Sequence, residues 1–97
     1  MKKFKFRLQV VLDMRESELE KRRTEVAKIL AVLNEQNAKL EQILQAQRNN
    51  SDEMDNLYNQ DVFDIPQVEG HRDFGLKLVV DETNQKRIIA NTKAILE

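Results

Sequence analysis

Apolar residues recur along the first half of the chain at alternating steps of four and three. With Leu12 set at heptad position a, the a series reads Leu12, Leu19, Val26, Leu33, Leu40, Gln47, Met54. The matching d series reads Leu8, Arg15, Arg22, Ile29, Gln36, Ile43, Asn50. No Gly or Pro interrupts the run. Spacing of this kind over more than four heptads predicts a coiled coil rather than the helix of a compact domain. Leu30 and Leu44 widen the stripe at e positions, as in a helix packed in a bundle or hairpin. The predicted first helix covers about residues 8–57. The seam changes beyond Leu44, where "QAQRNNSDEMDN" leaves Met54 and Leu57 as its main apolar residues. A seam that polar is expected to open more easily.

The break falls at "NQDVFDIPQVEGHRD". Asp61 and Asp64 suit caps and turns, Pro66 cannot sit inside a helix without disruption, and Gly70 offers freedom of φ. Val62, Phe63, Ile65 and Val68 are too apolar for a free linker, so this corner, about residues 58–70, is expected to pack on the helices it joins. A second helix is predicted over about residues 71–97. Its stripe is Phe74, Leu78, Ile88 and Ile95, interrupted by Asp81, Gln85 and Thr92, with Leu76, Val79, Val80, Ile89 and Leu96 beside it. A short connection joins antiparallel neighbours. The expected fold is therefore all-α, a single long antiparallel two-helix coiled-coil hairpin with unequal arms. Its predicted seam includes Leu12, Leu19, Val26, Ile29, Leu33, Leu40, Ile43, Met54, Ile88 and Ile95.

With Phe74 placed near Leu57, Glu97 falls near residue 34, and Leu8 to Leu33 has no partner within the chain. Burying one such aliphatic side chain is worth roughly 1.5–3 kcal/mol. Leu12, Leu19, Val26, Ile29, Leu30 and Leu33 therefore call for cover, from another chain or from a longer second arm. Self-association through this arm is expected. It is antiparallel or offset, so that Arg15 and Arg22 approach Glu16, Glu18, Glu20 or Glu25 instead of each other.

Composition removes other classes. Of 97 residues, 34% are charged but only 5% aromatic, with two Gly and one Pro, which is too little punctuation for a β or α/β fold. The net charge of -1 gives the whole chain no electrostatic reason to bind nucleic acid. The absence of Cys removes disulfides and thiolate metal sites. No apolar run reaches the ~20 residues of a membrane span, and "RLQVVLDMRE" is too polar for the core of a signal peptide, so the protein is expected in the cytoplasm. Asn49-Asn50-Ser51 matches a glycosylation acceptor and, without a secretion signal, is read as chance. His71 is the one histidine and is read as a surface residue at a helix start. No phosphate-binding loop or catalytic constellation occurs, so no enzyme and no cofactor is expected.

The opening "FKFRLQVVLDMRESE" resembles the start of the flagellar export protein FliJ family, through Phe4, Phe6, Leu8, Val11, Leu12, Arg15 and Glu16. "FGLKLVVDETNQKRI" resembles the opening of that family's second helix, through Phe74, Leu78, Gln85 and Ile88. Members of the family are longer at the C-terminus, so the chain looks like a short member or a fragment. The resemblance implies a non-enzymatic, stalk-like coiled coil of the flagellar type III protein export apparatus. Such a stalk sits in the hexameric export ATPase FliI, contacts the cytoplasmic domain of the export gate FlhA, and assists delivery of export chaperones and substrates. It implies association with the inner face of the cell membrane through those partners alone. Carried onto this chain, the ring end comprises Phe6, Leu8, Val11, Leu12, Arg15, Leu19 and Arg22. The gate end comprises Leu44, Tyr58, Phe63, Phe74, Leu78 and Gln85. The chain departs from the pattern at Gln45 and Gln47, where an aromatic residue is expected.

Other readings stand beside this one. Arg15 and Arg22 either meet acidic or backbone groups of the ring or lay their stems over the seam with their charges in water. Lys2, Lys3, Lys5 and Arg7 either meet an acidic partner or form a solvated tail. Phe74 is either a gate anchor or packing at the corner. The whole chain is alternatively a generic dimerising coiled-coil scaffold, or the equivalent stalk of a virulence secretion system.

Overall fold

A computed structural model describes residues 2–62 and 64–96. Two helices account for nearly all of them: α1, Lys2–Tyr58, and α2, Ile65–Leu96. They lie antiparallel in a hairpin 93 Å long and 16 × 15 Å across. The arms are unequal, at 57 and 32 residues. Among the described residues no strand occurs and no helix is long and apolar enough to cross a membrane.

Helix α1 begins at Lys2, six residues before the expected start. Phe4 and Phe6 do not fit the four-three spacing, so the seam begins at Leu8, but nothing in "KKFKFR" breaks a helix. The helix ends in a tightened turn, where Asn59 N–H donates to Asp55 O (3.1 Å) and Gln60 N–H to Leu57 O (3.3 Å).

Helix α2 also begins six residues early. Asp64 is its N-cap. Its Oδ1 accepts from Gln67 N–H (3.3 Å), and its carbonyl accepts from Val68 N–H (3.1 Å). Pro66 falls in the first turn, where its missing N–H has no helical partner to lose. Pro66 thus starts the helix it was expected to exclude. Gly70 lies inside α2, and no described residue has positive φ, so its conformational freedom is not used. The corner does not pack as expected either. Val62 and Ile65 are exposed and only Val68 is half-buried, while Phe63 lies outside the described residues.

The earlier start of α2 shifts the pairing. Asn50 lies across from His71 and Gly75, and Gln36 across from Gln85. Phe74 therefore does not sit at Leu57, and Leu96 comes opposite about residues 25–29 rather than near residue 34. The second helix covers more of the first than expected, so Ile29 and Leu33 are half-buried instead of bare.

On α1 the described seam under α2 is Ile29, Leu33, Gln36, Leu40, Ile43, Gln47, Asn50, Met54 and Leu57, all buried or half-buried. On α2 the inward residues are Val68, His71, Gly75, Leu78, Asp81, Glu82, Gln85, Ile89, Thr92 and Leu96. The predicted seam residues Ile88 and Ile95 are exposed, as is Phe74. On the inward face His71 and Gln85 find partners on α1, at Asn50 and Gln36, whereas Glu82 and Thr92 pair within α2, with Lys86 and the Ile88 carbonyl.

Candidate functional site

Three polar layers cross the hairpin. At the corner end, Asn50 Nδ2 donates to His71 O (2.9 Å), and Asn50 Oδ1 lies 2.9 Å from His71 Nδ1. With the amide oriented so, the imidazole nitrogen is the donor to Oδ1. Glu53 Oε2 stands 3.4 Å from the same nitrogen. Farther along, Gln47 Nε2 approaches Leu78 O (3.4 Å). Near the middle of α1, Gln85 Nε2 donates to both the carbonyl and Oε1 of Gln36, each at 2.8 Å. Among the described residues no buried side-chain nitrogen or oxygen lacks a partner. The polar half of the seam was expected to open easily, yet it holds the buried positions of α1, Asn50 and Leu57. Pairing of polar groups across the helices accounts for that.

Close approach at the first layer depends on Gly75. A Cβ there would lie 3.0 Å from Asn50 Nδ2. Nothing lies within 4 Å of a Cβ added at Gly70. Gly70 instead forms part of an open groove of about 540 Å³ at the corner, lined also by Ala46, Asn49, Glu53, Gln67 and Phe74.

The gate-end residues thus separate into two groups. Leu78 and Gln85 are buried in the seam and hold the hairpin together, and Leu44 is half-buried. Phe74, on the edge of the groove, and Tyr58, at the end of α1, are exposed. The sequence reading missed Asn50 with His71, and Gly75. Asn50 stood at a d position, which was the available signal.

The ring-end residues lie on one stretch of α1, with Phe6 off the seam face that the others line or border. Phe6, Leu8, Val11, Leu12, Arg15, Leu19 and Arg22 all lie on the part of α1 beyond the reach of α2, and all are exposed. Leu12, Leu19 and Val26 are 44–48% exposed, against 5–7% for Leu57, Leu78 and Ile89 in the covered seam. This bare arm, residues 2–25, is about 36 Å long at 1.5 Å per residue. Arg15, Glu18, Leu19 and Arg22 line a shallow depression along it. Arg15 and Arg22 form no ion pair among the described residues; the arm's one pair is Arg23 with Glu20 (3.5 Å). The bare arm and the corner groove lie at opposite ends of the rod.

No arrangement of His, Cys, Asp and Glu among the described residues is suited to hold a metal ion. In comparisons with known proteins, no family model, no curated protein and no solved structure matches the chain.

Proposed function

We propose that the chain is a non-enzymatic stalk of the flagellar type III export apparatus. Its bare arm engages the central hole of the hexameric export ATPase. Its corner, with Phe74 and Tyr58, engages the cytoplasmic domain of the export gate, and the rod between them assists delivery of chaperones and substrates. The protein then works at the inner face of the cell membrane, held there by its partners.

One observation carries this reading. The heptad seam of α1 continues past the end of α2 as an exposed apolar face, at the opposite end of the rod from the corner. A stalk that inserts one end in a ring and offers the other to a gate requires that polarity. The resemblance of Phe4 to Glu16 to the FliJ opening supplies the identity of the ring.

The test is to mix the 97-residue chain with the export ATPase and follow ring assembly and ATP turnover. Binding with a change in turnover is expected, lost in the Leu12→Asp/Leu19→Asp variant and kept in Phe74→Ala. Gate binding should show the opposite dependence. Failure of the intact chain to bind either protein would overturn the proposal.

A further inference from the structure

The bare arm carries its own counter-charges. Glu16 and Glu18 flank the exposed seam at e and g, on either side of Ser17. Like Arg15 and Arg22, they form no ion pair among the described residues. We infer that the arm takes a second copy of itself, laid antiparallel about a two-fold axis at Ser17.

A parallel pair would set Arg15 against Arg15 and Arg22 against Arg22 in the same seam layers, like charge facing like charge. The antiparallel pair sets Leu8 against the second copy's Val26, Leu12 against its Arg22, and Arg15 against its Leu19. Every arginine then meets an aliphatic side chain, over which its stem lies while the guanidinium reaches outward. Arg15 reaches the second copy's Glu18, and Arg22 reaches its Glu16 one turn away. Four guanidinium groups are thus interleaved with four carboxylates around the axis, and the same contacts occur twice, as two-fold symmetry requires.

The lengths also agree. The pairing uses the seam from Leu8 to Val26, the stretch α2 leaves exposed. Beyond Val26 the seam is occupied by α2, so the second copy's first turns lie beside the end of α2, with Phe4 at the level of Leu30 and Ile95. Phe4, Phe6, Leu30 and Ile95 are all exposed in the single hairpin. The aromatic opening of one copy therefore lands on apolar surface that the other copy's hairpin leaves open. The dimer is a rod with a hairpin at each end, and each copy masks the other's bare arm. A ring that takes this arm must first displace the second copy.

The inference does not rest on the export reading, since self-pairing is measured without any ATPase or gate. Sedimentation of the 97-residue chain should show a monomer–dimer equilibrium within the micromolar range. Small-angle scattering should give the dimer a length of roughly 140 Å, against 93 Å for one hairpin. Arg15→Glu and Glu18→Arg should each weaken the dimer about tenfold or more, as expected for close charge pairs. The Arg15→Glu/Glu18→Arg chain should recover the dimer to within about threefold, because the exchanged charges again face their opposites across the axis. Both positions are exposed, so helicity and melting of the single hairpin at low concentration should be unchanged. A monomer throughout the micromolar range would overturn the inference. So would a dimer only 93 Å long, or a doubly substituted chain as weak as the single variants.

Discussion

Asn50 and His71 hold each other across the hairpin by two contacts of 2.9 Å, amide to backbone carbonyl and imidazole to amide oxygen. The pair fixes which turn of α2 meets which turn of α1. Asn50→Asp keeps the shape but sets a carboxylate oxygen against the His71 carbonyl, with no hydrogen to donate. A loss of about 1–3 kcal/mol is expected in denaturant unfolding. Stability equal to the parent would show that the layer contributes nothing.

The two glycines of α2 should respond oppositely. Gly70→Ala adds a methyl group to open space inside a helix and should stabilise by about 0.5–1 kcal/mol. Gly75→Ala brings the same gain in helix propensity but presses on Asn50 Nδ2 at 3.0 Å. Asn50 is held on both sides of its amide and yields poorly, so Gly75→Ala should be less stable than Gly70→Ala by about 1 kcal/mol or more. Thermal melts of the two variants decide the matter.

Gln85→Leu alone leaves Gln36 without its amide partner and should destabilise by about 1 kcal/mol. Gln36→Leu/Gln85→Leu replaces the layer by apolar packing and should be more stable than the parent, with looser register. A double-mutant cycle in denaturant, with cross-links between engineered cysteines to report register, tests both halves of this expectation.

Leu57→Ala and Leu78→Ala truncate buried side chains and should each cost about 2–5 kcal/mol. Leu12→Ala and Leu19→Ala remove exposed ones and should change the monomer by less than about 0.5 kcal/mol. Unfolding at concentrations low enough to keep the chain monomeric separates the two cases. A similar loss at Leu12 would mean that the arm is covered from within the chain.

Charge in the seam gives a further contrast. Leu33→Asp and Leu40→Asp place a carboxylate at half-buried positions facing α2. Each should lower helicity or melting temperature clearly, since an unpaired ion there costs several kcal/mol less its residual solvation. Glu35→Ala removes an exposed pair with Lys39, 3.8 Å apart, and should change little.

These contrasts also show which parts of the fold were open to a reading of the sequence. The phase set at Leu12 predicts inward positions at Leu33, Gln36, Leu40, Ile43, Gln47, Asn50 and Met54, and each of them is covered by α2. The apolar positions from Leu8 to Leu44 were enough to set the phase, and the polar positions Gln36, Gln47 and Asn50 follow it. On α2 the same method was off by about one position: Leu78, Asp81, Gln85 and Thr92 of the expected stripe face α1, while Phe74, Ile88 and Ile95 point outward and Ile89 and Leu96 turn in. The inward face holds His71, Gly75, Glu82, Gln85 and Thr92, which look like a solvent face until Asn50 and Gln36 stand opposite them. Polar complementarity between two helices is a property of the pair, and neither helix displays it by itself. The corner was misjudged for a local reason, because the capping by Asp64 turns Pro66 from a breaker into a first-turn residue. The bare arm was legible in kind but not in extent, since its length follows from where α2 begins.

The unequal arms make the molecule mechanically graded. From the corner to about Ile29 two helices are braced against each other, and bending requires both to deform. From Glu25 to Lys2 a lone helix carries the load, held by its own backbone ladder and weak local pairs such as Gln9 with Asp13 and Arg23 with Glu20. An unbraced helix end is the first part of a rod to fray. Capture by any surface that completes the seam stiffens the tip. Torque or thrust applied there then passes along the whole 93 Å rod.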